Sequence, residues 1–281
     1  MRPTLLLVTL LSQAVATGAA SQTTGGPDTV VVRSGSLDLR ALLWRPSGRE
    51  GGPFPGVLFN HGSGRATDPS FLKQSTVLGP LFARHGYVFL YLFRRGVGLS
   101  SEQGANSVDL LDRERAEHGP DAANRLQVRL LETDHLADAL AGLAYLRALP
   151  EVDRRRVVVA GHSFGGSLTL LVAERDSTLP AVVDFADGAG SWEGSPQRRQ
   201  RMLAAAARLA VPVFFIQAEN DYSIAPSKTL AGEMTRLGKP HRLKIYPPVG
   251  TTAAEGHSLV HLNVPAWESD VFGFLSEHLR R

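Results

Sequence analysis

The sequence of 281 residues is long enough for one enzyme-sized domain, and its 43% hydrophobic content is ample for a buried core. Lys and Arg, 30 in all, nearly balance 27 Asp and Glu, so no basic surplus of the kind that recruits nucleic acid is present. The absence of cysteine excludes disulfides, thiol catalysis, thiolate metal sites and lipid attachment at a lipobox cysteine.

Arg2 precedes an apolar run from Leu5 to Leu11 that continues through Ala14, Val15 and Ala16. This is the pattern of a secretory signal peptide over residues 1–20, cleaved after Ala16 or Ala20. The run is too short to span a bilayer, so an exported protein, periplasmic or extracellular, with no stable membrane span after cleavage is expected. Ser21–Asp28 is polar and Gly-rich and reads as a flexible lead-in to a single domain over residues 29–281.

From there apolar, β-branched and aromatic runs read as strands at Thr29–Arg33, Leu37–Trp44, Gly56–Asn60, Tyr87–Phe93, Val157–Ala160, Ala181–Phe185, Val211–Gln217 and Leu243–Tyr246. The first two are joined by a tight Ser34-Gly35-Ser36 turn and predict an antiparallel hairpin. Helical spacing over Leu126–Leu149, Gly165–Glu174, Ser227–Leu237 and Pro265–Leu279 predicts βα units, hence a mainly parallel central sheet with helices on both faces. Two segments break this rhythm and are expected as loop insertions able to cover a pocket. Ser101–Arg125 is polar and interrupted by Gly119-Pro120, and Ser191–Arg208 mixes Trp192 with charges and an Ala-rich helical stretch. The basic clusters Arg154-Arg155-Arg156 and Arg198-Arg199 read as solvated surface.

The chemistry is concentrated in Val157-Val158-Val159-Ala160-Gly161-His162-Ser163-Phe164-Gly165-Gly166: a strand, a serine flanked by glycines two positions away, then a helical pattern. That is a nucleophile elbow, where side chains at Gly161 and Gly165 would clash with the sharp turn. A serine hydroxyl needs a base to remove its proton and an acid to orient the base, and on an elbow fold these follow in the order Ser, acid, His. Asp221 lies just past the strand Val211–Gln217, and His257 follows the next strand. Asp184, Asp187 and Glu219 are alternative acids and His261 an alternative base, while His162 shapes the elbow. Oxyanion donors are expected from the backbone N–H of Phe164 and from the turn Asn60-His61-Gly62-Ser63-Gly64, through Ser63 or Gly62. Arg94-Arg95-Gly96-Val97-Gly98-Leu99-Ser100 lacks the lysine and glycine spacing of a phosphate loop and reads as a structural turn beside the site. Trp192, Tyr222 and Phe71 are candidates for an apolar substrate pocket, though such residues more often serve packing alone.

Together the elbow, Asn220-Asp221, the stretch Ile245-Tyr246-Pro247-Pro248-Val249-Gly250 leading into Glu255-Gly256-His257, and Arg95-Gly96-Val97-Gly98-Leu99-Ser100 resemble the dienelactone hydrolase-like branch of the α/β-hydrolases. The resemblance covers nearly all of the chain after the leader. It implies an α/β-hydrolase fold, a Ser163–Asp221–His257 triad with Phe164 in the oxyanion hole, and no cofactor or metal. The family's founding enzymes attack an enol-lactone with cysteine, so a serine here is more similar to its broad esterase and acyl-peptidase-like relatives. The expectation is a hydrolase that cleaves a small-molecule carboxylic ester through an acyl-enzyme. A peptidase or acyltransferase on the same residues, and a non-catalytic binding protein of the same fold, are the rival readings. Oligomeric state is not legible.

Overall fold

The computed structural model describes residues 26–47 and 52–280. The expected signal peptide, and residues 21–25 of the lead-in, lie outside the described residues. Each expected strand is present: β1 (Asp28–Ser34), β2 (Leu37–Trp44), β3 (Phe54–Asn60), β4 (Val88–Leu92), β5 (Val152–His162), β6 (Val182–Phe185), β7 (Val213–Ala218) and β8 (His241–Tyr246). They form one eight-stranded sheet in the order β1-β2-β4-β3-β5-β6-β7-β8. β1 and β2 pair antiparallel across Gly35, whose φ of 58° suits a residue without a Cβ. β2 meets β4 antiparallel, and the remaining pairs are parallel.

Strand periodicity decides which layer each side chain joins. In β4, Val88, Leu90 and Leu92 enter one core cluster while Phe89 and Tyr91 enter the other. Beneath the first face lie α4 (Leu136–Ala148), α5 (Phe164–Arg175), α6 (Pro196–Arg208) and α7 (Ala225–Arg236). The opposite face is covered by α1 (Ser70–Arg84) and α10 (Val264–Leu279), whose Phe82 and Phe272 rings pack 5.0 Å apart. The central helix α5 is buried from Phe164 to Ala173, which is why its sequence reads as apolar throughout rather than amphipathic.

Three features differ from expectation. The segment 101–125 is largely helical rather than an irregular excursion: α2 (Ser107–His118) is capped by the Asn106 side chain, and α3 (Pro120–Leu130) starts on a proline. α3 then runs into α4 through one π-helical turn, Leu131–His135, so the expected helix from Leu126 begins earlier and carries a bulge. α1 has Pro80 inside it and Gly79 beside it, residues that mask helical periodicity. Gly79 is needed because a Cβ there would collide with the Trp44 ring.

The chain runs from β3 out to β4 and returns to β5 on the other side of β3. The carboxyl ends of β3 and β5 therefore flank the point where the strand order reverses, the place where α/β sheets open a crevice. β7 and β8 deliver their own carboxyl-end loops along the same edge. No helix among the described residues is long and apolar enough to cross a membrane.

Candidate active site

Ser163 is the single residue between β5 and α5, at φ 57° and ψ −119°. A non-glycine residue in that region carries strain of about 1–3 kcal/mol, which the surroundings must over-determine. They do so by close backbone approach. A Cβ on Gly161 would overlap the Gly165 carbonyl, and one on Gly165 would overlap the Asn60 carbonyl at the end of β3. The Ser163 N–H donates to the Phe185 carbonyl at 2.8 Å, and its own carbonyl accepts the Gly166 N–H at 2.9 Å. Phe164 stands at the first position of α5, where a backbone N–H has no partner within the helix.

Asp221 hangs from the turn after β7 with its side chain fully buried. Its Oδ1 accepts His257 Nδ1–H at 2.9 Å and the Tyr222 N–H at 2.6 Å, and Oδ2 accepts Gln217 Nε2–H at 3.1 Å. The loop that bears His257 is tied to the same turn by Asn220. Its Nδ2 donates to the carbonyls of Val249 and Thr252, and its Oδ1 accepts the Val249 N–H. A Thr252–Glu255 capping box starts the short α8 (Ala253–His257) that ends on the histidine. Between His257 and Ser163 the structure records a shared cavity rather than a hydrogen bond; such contacts are often long without substrate.

The alternative residues have other partners. Asp187 forms a buried ion pair with Arg198 at 2.9 Å and accepts the Ser167 hydroxyl. Asp184 is wholly buried, and desolvation together with neighbouring Asp187 pushes its carboxyl well above the usual range. Glu219 is exposed. His162 donates from Nε2 to the His257 carbonyl at 2.8 Å and accepts Gln74 Nε2–H at Nδ1, while Gln74 accepts the Tyr91 hydroxyl at 2.9 Å. Burial drives His162 well below the ordinary histidine range, which keeps it neutral for those roles. His261, on α9 (Leu259–Leu262), lines the cavity with Ser163 and is lowered to about 4 by burial.

Two cavities flank Ser163. One, of about 190 Å³, is lined by Gly62, Ser63, Phe71, Gln74, His257 and His261, among others. The other, of about 360 Å³, is bounded by Ser63, Gln127, Phe164, Ser191, Arg198 and His257, with glycines between. Of the pocket residues expected from sequence, Phe71 lines the first cavity, and the exposed Tyr222 lies with its ring 5.3 Å from that of His257. Trp192 does not belong there. It is 2% exposed and its indole packs into the core cluster that includes Met202 and Ala205 of α6, while its neighbour Ser191 borders the larger cavity. Arg198 is likewise no solvated surface residue, being 2% exposed and ion-paired with Asp187. Gln74, Gln127 and Arg198 line these cavities without a local sequence signal.

The family model for the dienelactone hydrolase family matches residues 69–258. The polyketide transferase grgF of a Penicillium species is 29% identical over 170 residues, 57% of this chain and 50% of that protein. The quorum-quenching protein AidA of Acinetobacter baumannii is 28% identical over 161 residues, 56% of this chain and 44% of that one. The chain thus spans about half the length of the curated relatives it matches. Among solved structures, a putative dienelactone hydrolase from Klebsiella pneumoniae superposes with a TM-score of 0.62 at 18% identity, covering 91% of this chain and 98% of that one. At that identity the likeness is one of fold.

Proposed function

Since the chain belongs to the dienelactone hydrolase family, we propose that it is a serine hydrolase that cleaves small-molecule esters with Ser163 as nucleophile, His257 as base and Asp221 as the acid that orients it. The observation that carries this reading is the 2.9 Å hydrogen bond from His257 Nδ1 to Asp221 Oδ1, which directs the opposite ring nitrogen toward the cavity that contains Ser163. In the reaction His257 Nε2 takes the hydroxyl proton as Ser163 Oγ attacks the ester carbonyl. The N–H groups of Phe164 and of Ser63 or Gly62 stabilise the oxyanion. His257 then protonates the departing alcohol, and water, activated by the same histidine, releases the acid from the acyl-enzyme.

Ser163→Ala is expected to lower kcat on p-nitrophenyl acetate by on the order of a millionfold and to abolish labelling by a fluorophosphonate. Turnover by that variant within tenfold of the wild type contradicts the assignment. A second reading has one observation in its favour: a matching relative is a transferase. An acyl-enzyme that prefers an alcohol acceptor to water would release ester faster than free acid when the two compete, and product analysis separates these outcomes.

A further inference from the structure

Arg94 follows β4 and is 1% exposed, yet among the described residues no carboxylate forms an ion pair with it. Its Nε and Nη1 have no hydrogen-bond partner. A guanidinium in the interior without a paired anion is costly, and an apolar side chain would fill the space at less expense. Burial lowers its pKa to about 10, so it is charged at neutral pH.

What this side chain does hold is one turn. Nη2 donates to the carbonyl of His61 at 2.8 Å and to that of Gly62 at 3.1 Å. The peptide bonds of this turn are trans, and in a trans peptide the C=O and the following N–H share a plane and point in opposite directions. Fixing the His61 carbonyl therefore fixes the Gly62 N–H, and fixing the Gly62 carbonyl fixes the Ser63 N–H, each directed away from the guanidinium. Gly62 and Ser63 line the cavity that contains Ser163, and a Cβ built on Gly62 would lie 3.4 Å from that of the serine.

The His61 ring completes the clamp. Its Nε2 accepts the Arg94 N–H at 3.2 Å, which leaves the proton on Nδ1 to be donated to the Gly62 carbonyl at 2.7 Å. Burial and the nearby Arg94 charge hold that ring well below the ordinary histidine range, hence neutral. On its other side the guanidinium carbon lies 5.6 Å from the centroid of the Phe164 ring, the residue that supplies the remaining donor. A positive charge on the carbonyl end of a peptide also polarises it and strengthens its N–H as a donor.

We propose that Arg94 is the positioning residue of the oxyanion hole, turning the His61 and Gly62 carbonyls away from Ser163 so that the N–H groups behind them face the oxyanion. This rests on the acyl-transfer reading given above.

The test compares wild type with Arg94→Met and Arg94→Lys in p-nitrophenyl acetate hydrolysis and in inhibition by phenylboronic acid, which forms a tetrahedral adduct on an active serine. Arg94→Met is expected to lower kcat by about 10²–10³, the effect of losing an oxyanion-hole donor, with KM within about twofold. Affinity for the boronate should fall in step with kcat. Arg94→Lys should be intermediate, because an ammonium cannot span both carbonyls with a fixed fork. A role in packing alone predicts a lower Tm with kcat per folded molecule and boronate affinity unchanged, and that result overturns the proposal. If Arg94→Met does not fold, Arg94→Lys decides by the same two readouts. Wild-type protein that neither hydrolyses the ester nor reacts with a fluorophosphonate overturns the acyl-transfer reading and this proposal with it. An active wild type with unaffected variants overturns the Arg94 proposal alone.

Discussion

At the scale of single residues the proposed acid, Asp221, is where function and stability separate. Asp221 accepts the His257 ring on one oxygen and Gln217 on the other, while the neighbouring Asn220 carries the backbone contacts that hold the histidine loop. Orientation of the ring thus depends on Asp221, and attachment of the loop on Asn220. Asp221→Asn is close to isosteric but presents an amide that cannot stabilise the imidazolium and favours the wrong tautomer. It is expected to lower kcat by ~10⁴ with Tm and far-UV circular dichroism close to wild type. Esterase activity within tenfold of wild type would show that another carboxylate orients His257. Asp187, one of the alternative acids, is not free for that role, since Arg198 and Ser167 already occupy it.

Among the elements, α6 links the larger cavity beside Ser163 to the core. Arg198 from its first turn bonds Asp187 and Ser191 and lines the larger cavity, and Arg201 from its middle pairs with Glu174 of α5 and with Glu132 of the π-helical turn. The helix is therefore fastened by charges facing inward, an arrangement that fixes its angle against α5. Removing one partner of a buried pair leaves the other unsatisfied at a cost of about 3–5 kcal/mol. Arg198→Met is expected to destabilise the protein by that amount in urea unfolding, since it leaves the buried Asp187 beside the buried Asp184 without its cation. A change below about 1 kcal/mol would mean that the pair is hydrated and that α6 is held by its apolar face alone.

For the molecule as a whole, three buried histidines, His61, His135 and His162, and the half-buried His261 give a pH dependence with a definite sign. His135 is lowered to about 3 and His261 to about 4, and His61 and His162 are driven well below 6.5, in each case chiefly by desolvation. Between those values and about 6.5 the unfolded chain binds protons that the folded chain refuses, so stability falls as pH falls, by about 1.4 kcal/mol per pH unit for each histidine fully in its window. Asp184, raised by burial, acts in the opposite sense. Urea midpoints should therefore drop steeply from pH 7 to pH 5, and His135→Phe should flatten that slope by one proton. A midpoint that is level or rises on acidification over this range contradicts the account.

Local chemistry determined much of this protein in advance. The eight strands were legible because alternating or β-branched apolar runs between turns report burial within a few residues of chain, and the elbow because its glycines answer a steric demand of one tight turn. Asp221 and His257 were picked out by their places after strand ends, and the structure brings their side chains to 2.9 Å. α2 was not legible, since half of its residues are charged and it buries little beyond Ser107, nor was α1, since Pro80 interrupts its pattern. The inward placement of Trp192, the ion pair of Arg198 and the clamp of Arg94 on the turn 33 residues before it were decided only by tertiary structure. A charge or an indole reads as surface or pocket until distant chain closes around it, and whether it is buried, and against what, depends on contacts that no local pattern records.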